Sequence, residues 1–130
     1  MVPPFQGQER RRYLRVHPAQ TNPVQVTVAL NDGVVRAAAV RDVSLGGVAF
    51  QFPQDSSLLP VGEKITPIQL ELPELGLVEA QGVVRRYDRP SEEAPPILAV
   101  EFTRLPYSGE KKLFKYINQR HRELHYFAGA

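Results

Sequence analysis

The sequence predicts an all-β fold with one helix: a six-stranded antiparallel β-barrel with a C-terminal α-helix. Three observations predict it. Short segments of alternating apolar residues recur between residues 24 and 103, separated by turns and loops rich in Gly, Pro, Asn and Asp. The connections between them are too short for crossover helices, so the strands must run antiparallel. After Pro106 the apolar period changes, once, to helical spacing.

The elements follow in order. Pro3, Pro4 and Gly7 make residues 1–9 a flexible tail, with a basic arm at 10–17. Val24, Val26 and Val28 alternate with mostly polar neighbours and give a first strand, closed at Asn31-Asp32-Gly33 because Asp-Gly tolerates positive φ. Val34 to Val43 returns antiparallel until Gly46-Gly47 breaks it. Val48, Phe50 and Phe52 place alternate apolar groups on one face of a third strand, and residues 53–63 form a loop. Ile68, Leu70 and Leu72 mark a fourth strand ended by Pro73. Leu77 to Tyr87 is a fifth, with Gly82 at a bend or bulge, and Ile97 to Phe102 follows a polar loop as the sixth. Leu113, Phe114, Ile117 and Leu124 recur at helical spacing over 107–126, with Ser108 as N-cap and later basic residues facing the helix dipole. Leu113, Phe114 and Ile117 are expected in the core. The barrel thus spans 24–103 within one domain of residues 10–130.

Composition narrows the function. At 130 residues the chain holds one core, and it has no cysteine, which excludes disulfides, thiolate metal sites and cysteine nucleophiles. It has no run of 18 apolar residues and no apolar leader, so a cytoplasmic location is expected. The net charge of +2 is uneven: residues 1–17 carry +3 and residues 107–130 carry +3, on an acidic middle. Basic ends fit an anionic partner, or simply solvated surfaces.

Two clusters carry chemistry. Glu9-Arg10-Arg11-Arg12-Tyr13-Leu14-Arg15 supplies guanidinium groups, which bind phosphate bidentately and stack on bases; a curled segment aims Arg11 and Arg15 at one anion. Alone it reads equally as a solvated basic arm. Asp42-Val43-Ser44-Leu45-Gly46-Gly47 is polar where a strand gives way to glycine. The Asp42 carboxylate can accept the paired N–H donors of a guanine edge, Ser44 offers a short donor, and Gly47 permits close backbone approach or positive φ. Alone it reads as a strand end and a turn.

Together, Arg11-x-x-x-Arg15 and Asp42-x-Ser44-x-x-Gly47 resemble the paired signature of the PilZ domain family, on a chain that also matches in strand order, in Leu98-Ala99-Val100-Glu101-Phe102 and in its basic terminal helix. The resemblance implies a PilZ-like split barrel that binds the bacterial second messenger cyclic di-GMP. It gives Arg11 and Arg15 the phosphates and a guanine face, Asp42 a guanine edge, and Ser44 and Gly47 the rest of the pocket. Arg10, just before the motif, is similar to members that bind an intercalated dinucleotide dimer. Arg86 and Tyr87 are candidates for extra stacking, since there is no tryptophan. The residues themselves predict an arm that orders on closing over the barrel-edge carboxylate and so offers a new surface to a downstream protein, and no cofactor, metal or DNA is expected.

No nucleophile–base–orienter set is visible, so no catalysis is expected. His121 and His125 stand four apart, but the residues between them do not match a zinc helix, and His17 reads as an ordinary loop residue. Two alternatives stand beside receptor function. One is a ligand-free adaptor of the kind this family contributes to pilus and flagellar systems. The other is an OB-like nucleic-acid barrel, against which Phe50, Phe52 and Phe102 fall on core-facing registers.

Overall fold

A computed structural model describes residues 13–29, 33, 35–51 and 59–129, with side chains to His125. Arg10, Arg11, the Asn31-Asp32 pair and Phe52 lie outside the described residues. Six strands form: β1 (Gln25–Ala29), β2 (Val35–Ser44), β3 (Gly47–Gln51), β4 (Lys64–Leu72), β5 (Gly76–Asp88) and β6 (Ile97–Arg104). They close into a barrel in the order β1-β2-β3-β6-β5-β4, every pair antiparallel. Closure leaves no free sheet edge, so short strands suffice. A helix, α1 (Tyr107–Gly129), follows and packs mainly on β5. Among the described residues no helix is long and apolar enough to cross a membrane.

The strands sit where the alternation puts them. Val26 and Val28 of β1, Ala38 and Val40 of β2, Ile68, Leu70 and Leu72 of β4, and Val78, Ala80 and Val84 of β5 all face the interior. Gly33 has φ +82°, the left-handed geometry expected of the β1–β2 turn. Pro67 follows a cis peptide inside β4 and has no amide donor, and the β4–β5 register shifts there, between Ile65 and Ile68. Gly82 lies at a register shift against β6. A β-carbon on Gly82 would stand 2.7 Å from the Glu101 carbonyl, so no larger residue fits.

Two register shifts matter for the surface. In β2, Val40 pairs with Phe50 but Asp42 with Ala49, which leaves Arg41 as an extra residue. In β5, Val84 pairs with Val100 but Arg86 with Ala99, which leaves Arg85 extra. Inward positions are even before each bulge and odd after it: Ala38 and Val40, then Val43; Val78, Ala80 and Val84, then Tyr87. An unbroken strand would turn Asp42 and Arg86 into the core. The bulges turn them out.

The helix departs from expectation in three respects. Glu110 N–H donates to the Pro106 carbonyl at 2.8 Å, so the helix starts at Tyr107 as expected, but Ser108 lies in its first turn instead of capping it. The helix runs on to Gly129, so its last turn holds no basic residue and Arg120 and Arg122 do not serve its C-terminal dipole. The buried face is Gly109, Leu113, Tyr116 and Ile117, while Phe114 is 53% exposed and Leu124 is 38% exposed. The barrel touches a narrower stripe than the apolar spacing drew, because Gly109 seats the helix against Val78 and fixes its rotation. Leu113→Ala is therefore expected to cost about 3 kcal/mol in urea unfolding and Phe114→Ala about 0.5 kcal/mol or less.

Tyr87 and Tyr116 both titrate above the usual tyrosine range, chiefly because burial disfavours the phenolate. The Tyr116 hydroxyl is buried without a partner among the described residues. An acid raised on folding contributes stability that is full below its unfolded pKa, about 10, and is lost as pH rises through the folded value. The melting temperature should fall more steeply above pH 10 in the natural protein than in Tyr116→Phe.

Candidate functional site

The site is built at the end of β2 that outruns β1. Val40 N–H reaches back to the Val24 carbonyl, and beyond this point the edge of β2 needs another partner. Residues 13–17 supply it. Val16 N–H donates to the Val43 carbonyl at 3.0 Å and Val43 N–H donates to the Val16 carbonyl at 3.0 Å. Val16 is 1% exposed, a plug that fastens this strap to the barrel. With Val16 pointing in, Arg15 points out, beside the residue the β2 bulge has turned outward. Arg15 Nε stands 3.6 Å from Asp42 Oδ1. The two clusters of the sequence therefore meet.

The β2–β3 turn closes the same corner. Ser44 is buried, and its Oγ accepts from Gly46 N–H at 3.0 Å, so its hydroxyl shapes the turn. Tyr13 lies across Gly46, where a β-carbon would stand 3.1 Å from the ring. Gly47 does not have positive φ; its lack of a side chain serves strand packing, since a β-carbon would stand 2.2 Å from the Val100 carbonyl. Of the two roles open to Gly47, close backbone approach or positive φ, the second is therefore ruled out.

A groove of about 630 Å³ opens here, between the strap, the β2–β3 turn and the outer faces of β5 and β6. Arg15, Asp42, Ser44 and Gly47 all line it. So do Arg41, Arg85, Arg86 and Arg89, which makes, among the described residues, five arginines against three carboxylates, Asp42, Asp88 and Glu101. Glu101 pairs with Arg85. Asp88 pairs with Arg86 at 3.2 Å. Each pair is about half exposed and so is screened and weakly held, leaving the guanidinium donors available to another anion. Ala49, Ile97 and Ala99 give the floor an apolar patch between the charges. An elongated anion with flat ring faces matches this combination: guanidinium forks for phosphate, planes and an apolar floor for the rings, and one carboxylate for a donor edge.

Of the residues the sequence singles out, Arg15, Asp42, Ser44, Gly47 and Arg86 line this groove; Arg41, Arg85, Arg89 and Tyr13 line it too and were not singled out. The usable signal was the phase slip of the apolar alternation at Arg41 and at Arg85. Tyr87, the other stacking candidate, does not line the groove: its ring packs on the core and its hydroxyl donates to the Leu59 carbonyl. His17 lies in the strap, exposed and outside the strands. Its Nδ1 contacts the Arg41 carbonyl at 3.0 Å, and its own carbonyl accepts from Arg120 Nε at 2.6 Å. His121 and His125 are exposed, with ring centroids 6.3 Å apart.

Comparison with known proteins agrees with this architecture. The PilZ domain model matches residues 9–119, nearly the whole chain. The chain belongs to the PilZ domain family. Three solved structures show the same fold. The PilZ domain of YcgR from Escherichia coli, solved with c-di-GMP, has 20% identity and a TM-score of 0.74 over 92% of this chain and 98% of that domain. The Bacillus subtilis inhibitor of motility, MotI/DgrA, has 20% identity and a TM-score of 0.74 over 88% of this chain and 52% of its own. The K. pneumonia MrkH–c-di-GMP complex has 18% identity and a TM-score of 0.75 over 89% of this chain and 54% of its own. The last two are thus about twice the length of the part this PilZ domain matches. No curated protein is similar enough in sequence to count as a match.

Proposed function

We propose that this PilZ domain is a receptor that binds cyclic di-GMP noncovalently in the groove between strap and barrel, and relays its presence to a downstream protein in the cytoplasm. The observation that carries the reading is the meeting of Arg15 and Asp42 at the mouth of one arginine-lined groove. Each end of that ion pair has a better partner in the ligand. A phosphate offers Arg15 two acceptors, and a guanine edge offers Asp42 two donors. Arg11 completes the phosphate clamp from the segment before the strap, and Arg10 beside it favours an intercalated pair of ligands. Arg86 supplies a plane for a guanine from the opposite wall. Ser44 and Gly47 act through the turn that sets the position of Asp42. Two structural neighbours, YcgR and MrkH, were solved with c-di-GMP, which supports the choice of ligand.

Isothermal titration tests it. Cyclic di-GMP should bind with micromolar or better affinity, about −8 kcal/mol or stronger. A flat titration with folded protein favours the ligand-free adaptor instead. Salt-dependent binding of oligonucleotides without preference for the cyclic dinucleotide favours a nucleic-acid role.

A further inference from the structure

The strap is short and its fastening is sparse. Among the described residues, Val16 alone of residues 13–17 pairs with the barrel backbone, and it pairs with Val43. The third hold on its backbone comes from the helix. Arg120 Nε donates to the His17 carbonyl at 2.6 Å, across 103 residues of sequence. The arginine is unusually enclosed for its type, its side chain 15% exposed, and its other end pairs with Glu123 at 3.2 Å. On the far side of the strap, the His17 ring contacts the carbonyl of Arg41, the bulge residue that turns Asp42 out. Arg120, His17 and Arg41 therefore form one line of contacts from α1, through the strap, to the bulge at the site.

We propose that Arg120 is a positioning residue for the ligand arm, and that through it the C-terminal half of α1 responds to what the groove holds. This rests on the receptor reading for the identity of the ligand. The mechanical part stands by itself: without Arg120, the His17 carbonyl loses its charged donor, and the Val16–Val43 pair is left as the hold on the strap's backbone. Arg15, two residues before His17, then samples positions away from Asp42, and a ligand must order the strap before it can be gripped. Coupling is reciprocal. A ligand that fixes Arg15 also fixes His17, and so tightens the Arg120 contact and the helix that carries it.

Amide hydrogen exchange and ligand titration together test this. In ligand-free Arg120→Ala, exchange at the Val16 amide should accelerate at least tenfold while Val26 and Phe50 in the barrel stay protected. Arg120→Lys, which keeps a cationic donor, should restore most of the Val16 protection. Glu123→Ala, which removes the ion pair but leaves the donor, should leave Val16 unchanged. Arg120→Ala should weaken cyclic di-GMP binding about tenfold, the loss of one charge-assisted hydrogen bond. In the natural protein, the dinucleotide should slow exchange at His121 to Leu124, and in Arg120→Ala it should not. Unchanged Val16 exchange in Arg120→Ala overturns the proposal, as does unchanged affinity. If the natural protein ignores cyclic di-GMP, the receptor reading fails, and Val16 exchange in the free protein still decides whether Arg120 holds the strap.

Discussion

Arg15→Ala is expected to weaken cyclic di-GMP binding about a hundredfold while leaving the melting temperature nearly unchanged. The two halves follow from different features of one side chain. Arg15 is 61% exposed, and its ion pair with Asp42 is 3.6 Å long, so the pair contributes about 1 kcal/mol or less to the fold. A guanidinium that grips a phosphate through two charge-assisted bonds contributes about 3 kcal/mol to binding, which is about two decades of affinity. Calorimetry and thermal unfolding on the same sample check both. Full-strength binding by this variant would leave the receptor reading without its central contact.

Asp42 makes a sharper test, because two physical readings give opposite signs. In the free protein Asp42 neutralises Arg15 and so competes with any phosphate for it. If that were its whole role, Asp42→Ala would free Arg15 and strengthen binding a fewfold. If Asp42 accepts the guanine edge, the variant loses a bidentate charged contact and binding weakens about a hundredfold. We expect the loss. Cyclic di-AMP separates the cases further, since adenine lacks the paired donors. The natural protein should prefer the guanine ligand strongly, and Asp42→Ala should erase most of that preference. A double-mutant cycle with Arg15→Ala then gives the coupling of the two ends.

The residue types at this site were legible in the sequence, while their side-by-side arrangement was only partly so. Arg15 and Asp42 stand out only as a pair: each cluster alone reads as a solvated arm or a turn, and the two in order on a six-strand chain carry the resemblance. The strands were legible because alternation is a period-two signal that survives any barrel curvature. The bulges were less accessible, since an extra residue is defined by the partner strand: Arg41 is extra only against Phe50 and Ala49, and Arg85 only against Val100 and Ala99. Yet both leave a phase slip in the apolar pattern, and both slips fall on an arginine beside the groove. Phe114 was misplaced for a related reason. Helical spacing gives a broad apolar stripe, and which edge of it meets the barrel depends on one close approach, Gly109 against Val78, that no periodicity encodes.

Gly47→Ala is expected to destabilise the fold by about 3 kcal/mol, the upper part of the range for overpacked cores, and to lower the melting temperature by about 10 °C. The added β-carbon would stand 2.2 Å from the Val100 carbonyl oxygen and 3.3 Å from the Glu101 Cα. Both neighbours are backbone of β6, which is paired on one side to β3 and on the other to β5. Phe102 N–H also ties β6 to the Gly46 carbonyl at 2.9 Å. The strand therefore cannot retreat without loosening two ladders. Two other glycines calibrate the effect. At Gly33 no described residue lies within 4 Å, so alanine there should cost only its strained φ of +82°, about 1 kcal/mol. At Gly46 the obstacle is the Tyr13 ring at 3.1 Å, on a strap that can yield, so Gly46→Ala should keep the barrel and displace the strap. These variants separate two explanations for a glycine in this motif. If Gly47 serves strand packing, Gly47→Ala loses stability first, and ligand affinity falls only as the site distorts. If it serves close approach of the ligand, the variant melts normally and fails only to bind. The 2.2 Å contact favours the first, and urea unfolding of the ligand-free protein decides it.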